Sequence, residues 1–398
     1  MIKVIISDGD GTLELPSPSN EMLELLGTLQ DLGIELAVAS NGSESTVRKN
    51  FQAAGLPKPS CVVTPKIVTP MGAKRIVKPS PVFVNKIMEM TGAQPHEIVY
   101  LGDDDRTDIF CAINAKVLPI TATYSKANKP RNYGIPMGSP QKVLKFLSTF
   151  GKQESPYFGW YCSSTCPDTD LPIDVKALIG NHTGFTDRLE TVLKEGSNKV
   201  AMSPKKRKQI VALLFFYLVS QCYLSGAIAN IDWVCAYPGH KESSSNALLG
   251  EYLKWFSKLF REKFQDDLIV RHMTAPKSQY AGPQRNIFSQ FRTIKINSDY
   301  KRKLKGKSVL VLDDFTTRGY SLETARRMLL QAGAKQVMCL AIAKFGSTHS
   351  VTRISTDWNP FEPCTLKENE IDVSDISRPM NKEADDYFKK RIWKSYLG

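Results

Sequence analysis

Cysteine is sparse in this chain, and the patterns that would give it a metal or disulfide role are missing. Eight cysteines are scattered through 398 residues. Most sit in apolar settings such as VMCLAIA, which argues against a disulfide-stapled secreted fold and for reduced thiols in a cytoplasm. Cys162 and Cys166 stand close together in YCSSTCPDTD, but no second pair with ligand spacing completes a zinc site. Two ordinary loop cysteines are expected there. No leader is expected ahead of the first strand, because MIKVIISDGDG runs directly into what reads as core. No internal repeat relates the two halves. A clean membrane span is also lacking. SPKKRKQIVALLFFYLVSQCYLSGAIANIDWV carries about 22 uncharged residues behind a basic cluster. However, Ser220, Gln221, Ser225 and Gly226 interrupt it, and the strand-like IDWVCAYP comes at once. The expectation is a helix buried in an α/β domain, with no membrane partner, and KKRK as its solvated start rather than a nuclear-import or nucleic-acid patch.

What is present is globular. Hydrophobic residues make up 42% and charged residues 23%, and the length asks for two domains with a tail. The net charge of +13 is uneven: residues 1–150 hold 16 Lys and Arg against 14 Asp and Glu, the remainder 37 against 26. Such an excess favours polyanionic partners, whether phosphorylated small molecules or nucleic acid. Within residues 1–150, the strand-like KVIIS, IELAVAS, HEIVYLG and AKVLPIT alternate with helical patterns, which predicts a parallel sheet covered on both faces. Residues 151–175 have turn chemistry and read as a linker. A second α/β region spans 176–345, with strands IDWVCAYP, DLIVRHM, SVLVLDD and QVMCLAIA. Residues 346–398 read as a polar tail closing with the helical NKEADDYFKKRIWKSYL.

Two stretches carry chemistry. In IISDGDGTL, Asp8 and Asp10 lie two residues apart at the end of the first strand, the usual ligand crevice of such a sheet. Phosphoryl transfer to a carboxylate needs this pair: Asp8 to attack phosphorus, Asp10 to protonate the leaving oxygen and then activate water. Ser40 and Asn41 in AVASNGS offer donors to a phosphate, and Lys78 in RIVKPSP offers a fixed positive charge. VYLGDDDRTDI supplies an acidic cluster for Mg2+, Asp103 with Asp104, Asp105 and Asp108. In order and spacing these motifs resemble the haloacid dehalogenase-like (HAD) phosphatase superfamily over about residues 1–148. The resemblance implies Asp8 as nucleophile, Asp10 as acid and base, Thr12, Ser40 and Asn41 around the phosphate and Lys78 as charge clamp. It implies metal ligation by Asp8, Asp10 and Asp103, with either Asp104 or Asp108 as the further carboxylate. Only 27 residues separate Asp10 from Val38 and 37 separate Ser40 from Lys78, too few for a large cap, so an open site is expected.

The second stretch is VLVLDDFTTRGYSLETA. A buried strand ends on two adjacent carboxylates, Asp313 and Asp314, which repel unless something they bind compensates. Hydroxyl residues and glycine at a helix start then suit a phosphate. A ribose 5-phosphate has both features. The stretch resembles the phosphoribosyl pyrophosphate (PRPP) loop of type I phosphoribosyltransferases. By that resemblance Asp313 and Asp314 hold the ribose hydroxyls, and Thr316, Thr317, Arg318, Gly319, Tyr320 and Ser321 form the PRPP loop, with Arg318 standing where the family usually has a second threonine. Tyr237, Pro238, Gly239, His240 and Lys241 come after a strand where such enzymes bind pyrophosphate, joined by Arg271. Thr274, Gln279, Arg285, Asn286 and Phe291 look like the competence-associated (ComF-like) branch. Together the two resemblances imply a bifunctional cytoplasmic enzyme: a capless phosphatase plus a transferase joining PRPP to a base or nucleotide-like molecule, with Mg2+ at both sites. A homodimer fits this expectation. Two other readings stand beside it, a nucleic-acid end-processing phosphatase and a PRPP-sensing regulator. The acceptor is not legible.

Overall fold

The computed structural model describes residues 1–9, 11–154, 157–165, 171–180, 189–190, 203–242, 249, 264–275 and 286–397. Asp10, Cys166, Gln279 and Arg285 lie outside the described residues. The chain divides into two compact units, the first holding Met1–Ser155 with Val219–Ala229, the second most of the remainder.

In the first unit the apolar runs become β1 (Val4–Ser7), β2 (Glu35–Ala39), β3 (Cys61–Val63), β4 (Ile98–Gly102), β5 (Leu118–Ala122) and β6 (Ile135–Met137). They form a six-stranded sheet in the order β3-β2-β1-β4-β5-β6, parallel throughout. All residues of β1 and β4 are buried, which is why they read as continuous apolar runs rather than alternating ones. Between the strands run α1 (Asn20–Asp31), α2 (Glu44–Ala53), α3 (Pro65–Val68), α4 (Val82–Thr91), α5 (Phe110–Asn114) and α6 (Pro140–Phe150). Serines start three of them: Ser19, Ser43 and Ser139 accept the N–H groups of Met22, Thr46 and Lys142. Val4, Ile6, Ala37, Ala39 and Tyr100 pack on Phe83, Val84 and Ile87 of α4. Strand order reverses on either side of β1, so the carboxyl ends of β1 and β4 flank the crevice where open α/β sheets bind ligands.

The second unit has a mixed five-stranded sheet of β7 (Trp160–Thr165), β8 (Pro172–Gly180), β13 (Gln336–Lys344), β12 (Ser308–Thr316) and β9 (Trp233–Ala236), in that order. All neighbours are parallel except β7, which runs antiparallel to β8. Two antiparallel pairs stand apart, β10 (Ile269–Arg271) with β11 (Ile294–Ile296) and β14 (Thr348–Ile354) with β15 (Ile371–Ser377). Among the described residues the helices are α7 (Pro204–Leu224), whose last turns from Val219 are counted with the first unit, α8 (Ile287–Phe291), α9 (Tyr320–Gln331), α10 (Lys382–Tyr387) and α11 (Lys394–Leu397).

The stretch expected to be a linker, 151–175, contains β7 and the start of β8. Trp160 and Cys162 point into the core while Tyr161 and Ser163 face solvent. Six residues of alternation between Gly, Pro and Ser clusters are too short to stand out from turn chemistry. The tail beyond 345 likewise carries a strand pair. Val351, Trp358, Phe361, Leu366 and Ile371 join the second core, and the Trp160 indole donates to the Arg378 carbonyl at 3.1 Å. No helix among the described residues is long and apolar enough to cross a membrane. The polar interruption in α7 has a partner, since the buried Gln221 side chain donates to Gln153 at 2.9 Å.

Charge is buried under α9. Glu323 and Arg326 are both fully buried, paired at 2.7 and 2.9 Å. The Thr352 N–H and hydroxyl also donate to Glu323 at 2.8 Å, and Arg326 donates to the Pro172 carbonyl at 2.9 Å. Burial alone would raise the Glu323 carboxyl, but the Arg326 guanidinium more than offsets it and holds the group below its usual range. Removing one partner of such a pair strands the other charge. Arg326→Met is therefore expected to lower the unfolding free energy by about 3–5 kcal/mol in urea titrations. Asp385, on α10, accepts the Gly180 N–H at 2.8 Å and is pushed up to about 6 by burial, from an ordinary 3.8. The folded state thus binds more protons than the unfolded one between those values, so this residue makes stability fall as pH rises across that window. Asp385→Asn keeps the acceptor oxygen and should flatten that slope in melts run between pH 4 and 6.

Candidate functional site

At the crevice, Asp8 directly follows β1 and Asp103 directly follows β4. A π-turn after β4 (Asp105–Ile109) swings Asp108 back beneath them. Carboxylate oxygens of Asp8, Asp103 and Asp108 all lie within 4.8 Å of one another, and all three residues are buried. Gly102 makes this possible, because a Cβ there would stand 2.2 Å from the Asp108 Cβ. Lys78, itself buried, bonds Asp8 Oδ1 and Asp108 Oδ1 at 2.6 Å each and the Ala39 carbonyl at 2.9 Å. Burial opposes its charge, but Asp108 and Asp8 outweigh that and raise its pKa. Asp108 is pushed up to about 6, burial and the other carboxylates prevailing over Lys78.

Other expected residues take supporting places. The Asn41 side-chain oxygen accepts the Lys78 N–H at 2.8 Å, and its carbonyl accepts from Arg75 at 2.8 Å. Ser40 is buried, its hydroxyl accepting the Gly42 N–H at 3.0 Å. The Thr12 hydroxyl is buried without a hydrogen-bond partner among the described residues. Asp104 is not part of the trio: it caps the π-turn by accepting the Arg106 N–H at 2.8 Å. Asp105 accepts the N–H groups of Asn132 and Tyr133.

The loop after β5 carries site residues that the sequence did not mark. Arg131 there donates to the carbonyls of Thr123, Ser125 and Ala127. Wrapped around this guanidinium, the loop delivers the Ser125 hydroxyl to Asp103 Oδ2 at 2.6 Å and the Lys129 ammonium to Oδ1 at 3.2 Å. The only signal was the basic composition of KANKPR, which has no strand-end position to mark it.

The donor set fits a hard divalent cation. Three clustered oxygen ligands carry more negative charge than Lys78 and Lys129 neutralise, and Mg2+ prefers oxygen. Asp8, Asp103 and Asp108 would hold it.

In the second unit Asp313 and Asp314 lie within β12, which was expected to end on them but continues to Thr316. Asp313 is buried, and its Oδ1 accepts the Asp314 N–H at 2.9 Å. Asp314 Oδ1 accepts the Phe315 N–H at 2.6 Å. Thr316 is buried while Thr317 and Arg318 are exposed, and Arg318 lies 3.8 Å from Asp375 on β15. Gly319, at φ +80°, begins α9, where a Cβ would stand 2.0 Å from the His349 ring. Tyr320 and the buried Ser321 open the helix. After β9, Pro238 is buried, Gly239 half-buried, and His240 and Lys241 exposed. Arg271 is 3% exposed. It donates to the Gly239 carbonyl and, at 2.5 Å, to Thr293, and packs over Tyr237 at 5.5 Å. Those donors tie β10 to the loop after β9.

Residues 6–122 match the family described as haloacid dehalogenase-like hydrolase. No curated protein matches the chain. Among solved structures, an uncharacterized protein from Listeria monocytogenes serotype 4b is 16% identical over 38% of this chain and 100% of that one, with a TM-score of 0.32. A HAD phosphatase from Thermococcus onnurineus is 20% identical over 33% of this chain and 58% of that one, TM-score 0.29. The HAD-hydrolase YfnB from Bacillus subtilis, solved with bound magnesium, is 18% identical over 32% and 54%, TM-score 0.27. This chain thus spans little more than half the length of the latter two.

A ligand that binds only the folded state raises its melting temperature. Millimolar Mg2+ is expected to raise that of the wild-type chain, while sodium chloride of equal ionic strength does not. In Asp103→Asn the Mg2+-dependent rise should be lost, as monitored by differential scanning fluorimetry.

Proposed function

Taking residues 6–122 as a haloacid dehalogenase-like hydrolase domain, we propose that this protein is a Mg2+-dependent phosphohydrolase joined to a PRPP-dependent phosphoribosyltransferase. The observation that carries the first half is the Asp8–Asp103–Asp108 trio with Lys78 bridging two of its members. Asp8 stands at the crevice with its carboxylate oriented by the Lys78 ammonium, ready to attack phosphorus and form an aspartyl phosphate. Lys78 supplies a fixed, desolvated positive charge beside the developing negative oxygens. Bound Mg2+ would neutralise charge on the transferred group. The Thr12 hydroxyl, the Ser40 side chain and the Asn41 amide are the candidate phosphate donors. Asp10 takes the acid–base role by its place two residues after Asp8, and its geometry lies outside the described residues.

Support for the second half comes from the paired acids at the carboxyl end of β12, a strand with parallel neighbours on both sides, leading into a glycine-started helix. In that role Asp313 and Asp314 hold ribose hydroxyls, and the turn through Ser321 holds the 5-phosphate. Pro238, Gly239, His240 and Lys241 would face pyrophosphate. A transferase leaves a 5′-phosphate on its product, and a phosphatase in the same chain would remove it and drain a reversible step. The engagement of Arg271 by Gly239 and Thr293 favours a second reading, in which the unit binds PRPP without turning it over.

The test is release of phosphate and pyrophosphate, with products identified by mass spectrometry, from PRPP, Mg2+ and a panel of bases. The coupled reading expects Asp313→Asn to abolish pyrophosphate release and Asp8→Asn to let a 5′-phosphorylated product accumulate. If PRPP binds but is never consumed while phosphate esters are cleaved through Asp8, the sensor reading replaces it.

A further inference from the structure

The carboxylate trio is served by two lysines of very different kind. Lys78 is buried, and its three N–H donors are all committed, to Asp8, Asp108 and the Ala39 carbonyl. It has none left for a part of the substrate beyond the reacting group. Lys129 is 35% exposed. Among the described residues its ammonium makes one hydrogen bond, to Asp103 Oδ1 at 3.2 Å, with Asp104 next at 4.0 Å. Two donors therefore remain on the solvent side of a charge anchored at the site. Several bonds hold the loop in place. Arg131 fixes three of its carbonyls, Asp105 fixes two of its N–H groups, and Ser125 covers the other oxygen of Asp103. The ammonium stands beside Asp103 at the crevice, and the short gaps between the motifs leave no room for a large cap inserted between them.

We propose that Lys129 is a specificity-determining residue that binds a second anionic group of the substrate, so that the site prefers phosphate esters carrying a further phosphate or carboxylate over singly phosphorylated neutral compounds. This rests on the phosphohydrolase reading above and narrows its substrate class.

The probes are adenosine 3′,5′-bisphosphate and adenosine 5′-monophosphate, which differ by one anionic group. Calorimetry on the full-length Asp8→Asn chain with Mg2+ measures binding without turnover, and steady-state kinetics on the chain with Asp8 intact measures hydrolysis. The bisphosphate should bind about tenfold or more tightly than the monophosphate, a margin typical of one charged hydrogen bond. Adding Lys129→Met should erase that margin, while Lys129→Arg keeps most of it. In the kinetics the loss should fall on KM for the bisphosphate, with kcat little changed. Equal binding of the two probes before Lys129 is altered overturns the proposal. So does an equal loss for both in Lys129→Met, which would make Lys129 a mere support of Asp103. If the binding preference is present but nothing is hydrolysed, the phosphohydrolase reading falls and the anion site stands.

Discussion

A single ammonium group holds the first unit's crevice together. Lys78 Nζ reaches carboxylates just after β1 and on the π-turn after β4, and the last carbonyl of β2. Three segments far apart in sequence therefore converge on one buried charge. Buried carboxylates this close would repel one another without a cation between them, and a buried lysine would not stay charged without them. The remaining negative charge makes the site receptive to a divalent ion, and the backbone answers to the same requirement. Gly102 lacks the Cβ that would collide with Asp108, and Asn41 clasps the Lys78 backbone so that the side chain enters from the correct side.

The second unit shows a similar economy under its candidate phosphate loop. Lys344, at the end of β13, is buried, donates to the carbonyls of Thr317 and Thr348 and lies 4.6 Å from the centre of the Trp160 ring. Burial pushes its pKa down to about 8. His349, fully buried against Gly319, is pushed down to about 4 by the same cause and is therefore neutral at physiological pH. The loop before α9 is thus tied from beneath through its carbonyls, Thr317 by Lys344 and Arg318 by the Ser350 N–H. The strand that completes this arrangement, β7, came from a stretch with the composition of a linker.

Much of the first site was legible because its residues stand at strand ends. A parallel strand buried on both faces reads as an apolar run, and the residues just past its carboxyl end lie at the crevice. That is how Asp8, Ser40 and the Asp103 cluster could be picked out one by one, whereas Lys78, in the loop before α4, was marked only as a fixed charge in RIVKPSP. The choice between Asp104 and Asp108 was not legible. Both are carboxylates near Asp103, and only the π-turn shows that Asp108 points back to Asp8 while Asp104 caps the turn. Ser125 and Lys129 were invisible for a related reason: they sit in an irregular loop, where no periodicity tells which side chains turn inward. Arg271 at a strand end read as a ligand group, and the structure adds that two of its nitrogens donate to the Gly239 carbonyl and to Thr293.

By itself, then, the sequence determined the alternation of strands and helices, the parallel sheet of the first unit, and the residue types at its carboxyl edge. These come from local rules, namely hydrophobic period, serine caps and polar residues at strand ends, that need no knowledge of distant contacts. The tertiary structure decided which carboxylates meet, which lysine is buried and which remains open to solvent, and that β7 and the β14–β15 pair belong to the second unit. Those outcomes depend on distances between residues tens to hundreds of positions apart. Such distances are set by how whole elements pack, and no short window of residues contains them.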